Sequence, residues 1–315
     1  MTVSSALTTP PDDPSRRRLL MLATGWSVAT AGALVAVKLA AWLLTGSVSL
    51  LASLVDSTMD VLASIVNLLA VRWSLAPPDE EHRFGHGKAE SLAGLGQAAF
   101  VAGSAVFLVI QAIDRLVTPR PLEHLGIGIG VMVFSIVATT LLVAVQRYTI
   151  RRTGSVAIRA DSLHYVSDLL TNVSVLVALG LALAGWQWAD AVFGLAVAGY
   201  ILWSAARIGA AAVHMLMDRE LPADEQARIL DIARRHPEVA GAHDLRTRQA
   251  GHVRFIQLHL ELGADMPLVK AHAVSERVAG ELRATFPGAD VIIHQDPAGL
   301  AEANREPWRQ QGAEG

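Results

Sequence analysis

Two stretches decide the fold of this chain: Ala52-Ser-Leu-Val-Asp56-Ser-Thr-Met-Asp60 and Ala160-Asp-Ser-Leu-His164-Tyr-Val-Ser-Asp168. Each lies in a long apolar run and has two metal-binding side chains four residues apart, a spacing that puts both on one face of an α-helix. Ionisable groups inside a membrane-spanning helix are costly and need a partner or a ligand. Three carboxylates and one imidazole suit a divalent transition metal. The alternative is polar contact that only holds two helices together, but two matched pairs exceed what such contact requires.

The composition indicates a membrane domain joined to a soluble one. Of the 315 residues, 52% are hydrophobic, and the mean hydropathy is +0.39. That is too apolar for an ordinary soluble protein, whereas the C-terminal part is too charged to lie wholly in a membrane. The net charge of -3 implies no polyanion-binding tail, and therefore no nucleic-acid partner. Because the chain has no cysteine, any metal must be bound by imidazole and carboxylate.

Apolar runs of about 20 residues or more predict membrane-spanning helices. The six runs are Leu19–Leu44, Leu50–Trp73, Leu92–Val117, Leu125–Val145, Leu163–Ala184 and Ala191–Met215. We expect a cytoplasmic tail at 1–18, a six-helix transport domain at 19–217, a cytoplasmic metal-binding domain at 218–298 and a flexible tail at 299–315. Lys38, near the end of the first run, can extend its ammonium group towards the membrane surface.

Most positive charges between the runs lie on one side, so the positive-inside rule puts both termini in the cytoplasm. The second run enters from outside near Val48, which places Asp56 about 12 Å deep at ~1.5 Å per residue. The fifth enters from inside near Ser155, which places His164 about 13 Å deep. In a core roughly 30 Å thick, both pairs reach the middle third. They are predicted to bind one ion near the midplane, where secondary transporters bind substrate.

The loop after the second run contains a second group of metal-binding residues. It reads Pro77-Pro-Asp79-Glu-Glu-His82-Arg-Phe-Gly-His86-Gly-Lys88-Ala-Glu90. Prolines and glycines keep this stretch out of a helix, so Asp79, His82 and His86 can converge on one ion. A solvated charged loop is the alternative reading.

The C-terminal part predicts a small α+β domain. Its expected elements are a helix at Ala223–His236, strands at His243–Arg248 and Val253–Glu261, a helix at Leu268–Phe286 and a strand at Val291–His294. Isolated histidines are usually ordinary surface or core residues. Four histidines and a carboxylate at or near the ends of these elements instead favour a metal site. They are His243, His259, His272, His294 and Asp296.

The combination of motifs resembles the cation diffusion facilitator family, in particular its bacterial zinc and iron efflux branch. The matching stretches are Asp56-x-x-x-Asp60, Phe84-Gly-His-Gly-Lys-Ala-Glu90, His164-Tyr-Val-Ser-Asp168, His243-Asp-Leu-Arg-Thr-Arg248 and Ile293-His-Gln-Asp-Pro297. The similarity extends from Leu19 to Pro297. It implies a homodimer of six-helix protomers in the bacterial inner membrane, each with a cytoplasmic metallochaperone-like domain. It also implies that divalent cations leave the cytoplasm in exchange for protons.

The resemblance assigns roles to named residues. It implies a transport site of Asp56, Asp60, His164 and Asp168, a loop site of Asp79, His82 and His86, and a binuclear cytoplasmic site of His243, His259, His272, His294 and Asp296. It further implies an interlock at the membrane boundary, for which Lys88 and Asp218 are the candidate pair. Because imidazole titrates in the physiological range, protons are expected on His164, with Asp60 and Asp168 sharing them.

Two other function classes are alternatives. An intramembrane metalloenzyme needs an open coordination position and a general base, and the His-Glu-x-x-His signature is absent. A membrane metal sensor that moves no ion is the second, and the sequence argues against it only weakly. Zinc is the first choice of ion because one nitrogen and three oxygens suit its tetrahedral geometry. Cadmium, iron(II) and cobalt(II) fit the same ligand types.

Overall fold

The computed structural model describes residues 14–46, 48–117, 126–183 and 189–299. The chain divides between Leu216 and Met217 into two compact units. Within the described residues, the first unit consists of helices α1 (Pro14–Thr45), α2 (Val48–Ser74), α3 (Lys88–Val117), α4 (Gly126–Thr153), α5 (Val156–Leu183) and α6 (Ala189–Leu216). The second consists of α7 (Ala223–Arg234), β1 (Val239–Ala250), β2 (Val253–Leu262), α8 (Leu268–Thr285) and β3 (Asp290–Pro297). The predicted fold class, six long helices followed by an α+β domain, is confirmed.

Helices α1 and α5 begin before the apolar runs that predicted them, because polar and charged residues precede those runs within the same helix. Helix α1 begins at Pro14 rather than at Leu19, with proline in the first turn, where its missing N–H costs nothing. Residues 14–18 therefore belong to a helix and not to a polar tail, and residues 1–13 lie outside the described part. Helix α5 begins at Val156, seven residues before its predicted start at Leu163.

Five of the six helices contain described segments that are long and apolar enough to cross a membrane. Helix α5 has the same length as α4, 28 residues, and its described part carries three charged residues, Arg159, Asp161 and Asp168. Between residues 155 and 165 every side chain except Arg159 is buried. Asp161 and His164 of α5 therefore face neighbouring helices rather than lipid, as expected for costly groups inside a membrane.

Small residues allow α5 to pack closely against α3 and α6. A Cβ atom added to Gly94 of α3 would lie 2.9 Å from Val156 Cγ1, closer than such atoms approach. Ala98 of α3, Ala160 of α5 and Ala205 of α6 belong to the same buried cluster. Small side chains at helix contacts are typical of membrane proteins, where close backbone approach replaces the hydrophobic driving force.

Glu90 fixes the beginning of α5. Its Oε1 atom accepts the backbone N–H of Val156 at 2.9 Å, and its Oε2 atom lies 3.5 Å from Arg16 Nη2. The first N–H groups of a helix have no partner within the helix, and a carboxylate there is favoured by the helix dipole. The buried Glu90 thus connects the beginnings of α1, α3 and α5.

The second unit is a three-stranded sheet in the order β1-β2-β3, antiparallel between β1 and β2 and parallel between β2 and β3. Ile256, Leu258 and Leu260 of β2 pack with Val274 and Val278 of α8 in one core. Since successive side chains of a strand point to opposite faces, the alternate positions face away from this core.

Strand β1 is longer than predicted, beginning at Val239 and ending at Ala250 rather than spanning His243–Arg248. Its pairing with β2 is interrupted between His243 and Arg246, where Asp244 has a φ of 49°. Such a bulge redirects side chains and lets the strand continue. The predicted strand spans this bulge and misses residues 239–242 and 249–250 at the two ends of β1.

Candidate metal centres

The midmembrane cluster brings together Asp60 of α2 with His164 and Asp168 of α5. His164 Nε2 lies 2.9 Å from Asp60 Oδ1 and 3.7 Å from Asp168 Oδ2. The His164 side chain is 7% exposed, yet Nε2 has no partner in hydrogen-bond geometry. One oxygen from each carboxylate and this nitrogen lie within 4.8 Å of one another. A buried nitrogen that faces two oxygens without a hydrogen bond fits a site for a cation.

Asp56, the fourth predicted ligand, lies outside this three-residue group. It is one turn before Asp60 on α2 and is exposed. A side chain one turn away lies on the same helix face, so its role as a ligand stays a prediction.

Lys38 does not extend to the membrane surface. Its Nζ atom donates to Ser57 Oγ at 2.6 Å and to the Ser53 carbonyl at 3.3 Å, both on α2. Its charge is close enough to act on Asp60 and Asp168. The snorkelling suggested by the sequence is replaced by hydrogen bonds to α2 beside the candidate site.

A buried polar network lies beside the midmembrane cluster. Asp161 Oδ2 accepts hydrogen bonds from Ser27 Oγ at 2.6 Å and from Gln146 Nε2 at 2.8 Å. The Tyr165 hydroxyl donates to the Ser27 carbonyl at 3.2 Å and shares a hydrogen bond with Ser64 Oγ at 2.8 Å. These contacts connect α1, α2, α4 and α5, so they hold the helices that carry the cluster.

The loop before α3 brings Asp79, His82 and His86 together. Asp79 Oδ1 lies 3.4 Å from His82 Nδ1, and Asp79 Oδ2 lies 3.3 Å from His86 Nε2. Gly85, with a φ of 79°, permits the sharp turn between the histidines. Asp79 and His82 are about half exposed, whereas His86 is buried and its ring lies 5.4 Å from that of Trp73.

Asp79 is held in place by the backbone of its own loop. Oδ1 accepts the N–H of His82 at 2.6 Å and that of Glu81 at 3.1 Å. The hydrogen bond from His82 is the main cause that lowers the pKa of Asp79 below its ordinary value, and the nearby imidazoles of His86 and His82 act in the same direction. The carboxylate is therefore ionised and available to a cation at neutral pH.

The third cluster lies on the sheet of the second unit. His243 pairs with His259 across β1 and β2, and His259 pairs with His294 across β2 and β3. Asp296 Oδ2 lies 2.8 Å from His259 Nδ1 and 3.4 Å from His243 Nε2, while Oδ1 lies 3.2 Å from His294 Nε2. One carboxylate thus faces three imidazoles, an arrangement that can bridge two ions.

His272 and Glu261 depart from the prediction for this cluster. His272 is exposed on α8, and the described contacts do not join it to the other three histidines. Glu261 Oε1 lies 3.2 Å from His243 Nδ1, although Glu261 is not among the ligands predicted from the sequence. The available signal was its position on β2, where His259 and Glu261 share a face.

The structure places each candidate for the interlock within its own unit. Lys88 Nζ donates to the carbonyl of Leu216 at 3.2 Å. Asp218 Oδ1 lies 3.4 Å from Arg248 Nη1. The pairing of Lys88 with Asp218 stays a prediction.

Comparison with known proteins agrees with this architecture. Residues 26–217 match the cation efflux transmembrane domain, and residues 221–298 match the cation efflux protein, cytoplasmic domain. The cation-efflux pump FieF of Salmonella schwarzengrund (strain CVM19633) is 53% identical over 283 residues, 90% of this chain and 94% of that protein. The same pump of Salmonella arizonae is 53% identical over 283 residues, with 90% and 94% covered.

A solved structure also matches the C-terminal part. The metal-bound C-terminal domain of the CzcD transporter from Thermotoga maritima is 26% identical, with 25% of this chain and 96% of that chain covered and a TM-score of 0.24. The family models and the curated relatives together extend over both units. The chain is therefore a multi-pass membrane transporter that belongs to the cation diffusion facilitator, or cation efflux, family.

Proposed function

We propose that this protein exports zinc from the cytoplasm in exchange for protons, with Asp56, Asp60, His164 and Asp168 as the transport site. The observation that carries the proposal is the convergence of two carboxylates on one buried imidazole nitrogen between α2 and α5. Helices that contribute ligands to a shared ion can alternate between open arrangements on either side of the membrane. The domain assignment follows, with transport in residues 19–217 and cytoplasmic metal binding in 218–298.

Zinc is the proposed cargo because the ligand set combines imidazole nitrogen with carboxylate oxygen. Zinc accepts both ligand types in tetrahedral geometry. Cadmium, iron(II) and cobalt(II) bind the same groups and are the expected secondary substrates. The solved relative from Thermotoga maritima is described only as metal-bound.

Proton exchange follows from the chemistry of the ligands. Zinc binds neutral imidazole and ionised carboxylates, so any protons on His164, Asp60 and Asp168 must leave when zinc arrives. Conversely, protons that enter from the outer side would displace the metal. Because groups this close share their protons, the cluster is expected to titrate as a set.

The loop and sheet clusters are proposed to bind metal without transporting it. Asp296 facing three imidazoles supports a binuclear cytoplasmic site, and metal bound there would stabilise a homodimer. His272 is proposed as a further ligand to that site. We infer that the protein lies in the bacterial inner membrane with both termini in the cytoplasm, from the positive-inside rule.

Transport in sealed vesicles tests this proposal. Purified protein is reconstituted, and zinc entry is followed with an internal fluorescent indicator while the pH inside and outside is set independently. We expect zinc entry when the vesicle interior is the more acidic side and simultaneous proton movement in the opposite direction. Zinc entry that is unaffected by the pH gradient would contradict proton exchange, and binding without entry would favour a sensor.

A further inference from the structure

Lys38 is a cationic side chain placed beside a site that must bind a cation. It lies on α1, whereas the proposed ligands lie on α2 and α5. Ser53, Asp56, Ser57 and Asp60 follow one another along one face of α2 at spacings of three and four residues. Lys38 Nζ donates to Ser57 Oγ at 2.6 Å and therefore lies on the same face as the carboxylates.

The ammonium group is held by neutral acceptors. Its described contacts are the Ser57 hydroxyl and the Ser53 carbonyl, and among the described residues no carboxylate lies within ion-pair distance of Nζ. Asp60, three residues after Ser57 on α2, nevertheless lies within reach of the ammonium charge. Ser57, which holds the ammonium group, is 1% exposed. This contact is therefore shielded from solvent, and interactions between charges are stronger away from water.

We propose that Lys38 is a positioning residue for release: a fixed positive charge that limits the affinity of the transport site and helps to expel the cation. The inference rests on the transport site proposed above. A transporter must bind its ion firmly enough to load and weakly enough to unload. The site carries three carboxylates, and a divalent cation leaves it with an excess negative charge that Lys38 balances.

The charge of Lys38 acts differently on the empty and the loaded site. When the carboxylates are ionised, Lys38 attracts them in both states, so this attraction cancels in the binding free energy. Its repulsion of the divalent cation exists only in the loaded state. Removal of the charge should therefore tighten metal binding, whereas removal of a merely structural lysine should weaken it.

Equilibrium binding of zinc to the full-length protein in detergent tests this difference. The measurement is made at one fixed pH for all variants, so that proton competition is the same in each comparison. Zinc is also expected to bind at the loop and sheet clusters, so their contribution must be removed. The binding isotherm of Asp168→Ala is subtracted from that of the wild type. The isotherm of the double variant Lys38→Met/Asp168→Ala is subtracted from that of Lys38→Met. The maximum rate of zinc entry into vesicles is measured in parallel.

We expect Lys38→Met to bind zinc about tenfold or more tightly than the wild type while its maximum transport rate falls. Lys38→Arg, which keeps the charge, should retain wild-type affinity. Lys38→Gln keeps a polar group that can contact Ser57 and should bind zinc as tightly as Lys38→Met. It replaces Lys38→Met in the test if the methionine variant does not fold. Lys270→Met, at an exposed lysine of α8, is the control without effect.

Equal or weaker zinc binding by folded Lys38→Met or Lys38→Gln would overturn the role of Lys38. An Asp168→Ala protein that binds as much zinc as the wild type would overturn the transport site itself. The two failures are therefore distinguished in the same set of measurements.

Discussion

The midmembrane cluster and the sheet cluster combine the same ligand types in opposite ways. In the membrane, Asp60 and His164 come from two helices, and His164 Nε2 is buried without a hydrogen bond. On the sheet, Asp296 uses both oxygens towards three imidazoles that lie on adjacent paired strands. Helices can shift relative to one another, whereas paired strands fix their register. The first arrangement suits an ion that must leave, and the second suits an ion that stays.

The largest expected effect is on transport. Asp168→Ala removes a charged ligand from the midmembrane cluster and should lower zinc flux by more than about 100-fold while the protein remains folded. Asp231→Ala, at an exposed carboxylate that pairs with Arg235, is the matched control and should retain its flux. Wild-type flux through Asp168→Ala would break the comparison, since the helical cluster would then not be the transport site.

The second effect is on stability and concerns the sheet cluster. Zinc at about 100 times its dissociation constant stabilises a domain by about 2.7 kcal/mol, which corresponds to a melting temperature roughly 10–20 °C higher in a domain of this size. Calorimetry on residues 217–299 with and without zinc measures the shift. Asp296→Ala should abolish most of it, and Glu276→Ala, at an exposed carboxylate of α8, should not. A wild-type fragment without a shift would remove His243, His259 and His294 from the ligands.

The third effect sharpens the comparison by changing one ligand type. His164→Asp keeps a metal site in the membrane but replaces nitrogen with oxygen. We expect the ratio of zinc flux to cadmium flux to fall about tenfold, because oxygen ligands favour larger or harder ions. The pH profile of zinc flux should also shift, because a free imidazole titrates at about pH 6.5 and a free carboxyl group at about pH 4. If ratio and pH profile both stay unchanged, His164 has neither role.

The smallest effect concerns the loop, which is more exposed than either cluster. Asp79→Asn keeps an oxygen that can accept the N–H of His82 but removes the charge, so zinc flux should stay within about threefold of the wild type. Asp79→Ala removes both the charge and the oxygen that accepts the N–H of His82. It should therefore bind metal at the loop more weakly than Asp79→Asn does. A hundredfold loss of flux in Asp79→Asn would show that the loop belongs to the transport path.

The loop also has a pH dependence of defined sign. Because the pKa of Asp79 is lowered in the folded loop, its contribution to loop stability is present above the ordinary value of about 3.9 and is lost as the pH falls through the lowered value. Limited proteolysis of the loop between pH 7 and pH 3 measures this change. In Asp79→Asn the loop should be cleaved at the same rate across that range. Cleavage of an unrelated substrate corrects for the change of protease activity with pH.

The sequence by itself determined the architecture. Apolar runs predicted the number of long helices, and the pattern in residues 253–261 predicted a strand there, which is confirmed. The i and i+4 spacing of His164 and Asp168 placed both on one face of α5. These are local properties, since the period of an element follows from its backbone geometry. Element ends were less well predicted, because charged residues continue α1 and α5 beyond the hydrophobic stretch.

Tertiary structure alone decided which residues meet. The sequence could not show that Lys38 of α1 binds Ser57 of α2, that Glu90 of α3 caps α5, or that Glu261 joins His243. Each contact depends on how separate helices or strands pack, and packing distances are not contained in the spacing of residues along one element. For the same reason, Asp56 and His272 matched the expected motifs, but the described geometry leaves them outside the clusters of three or more groups.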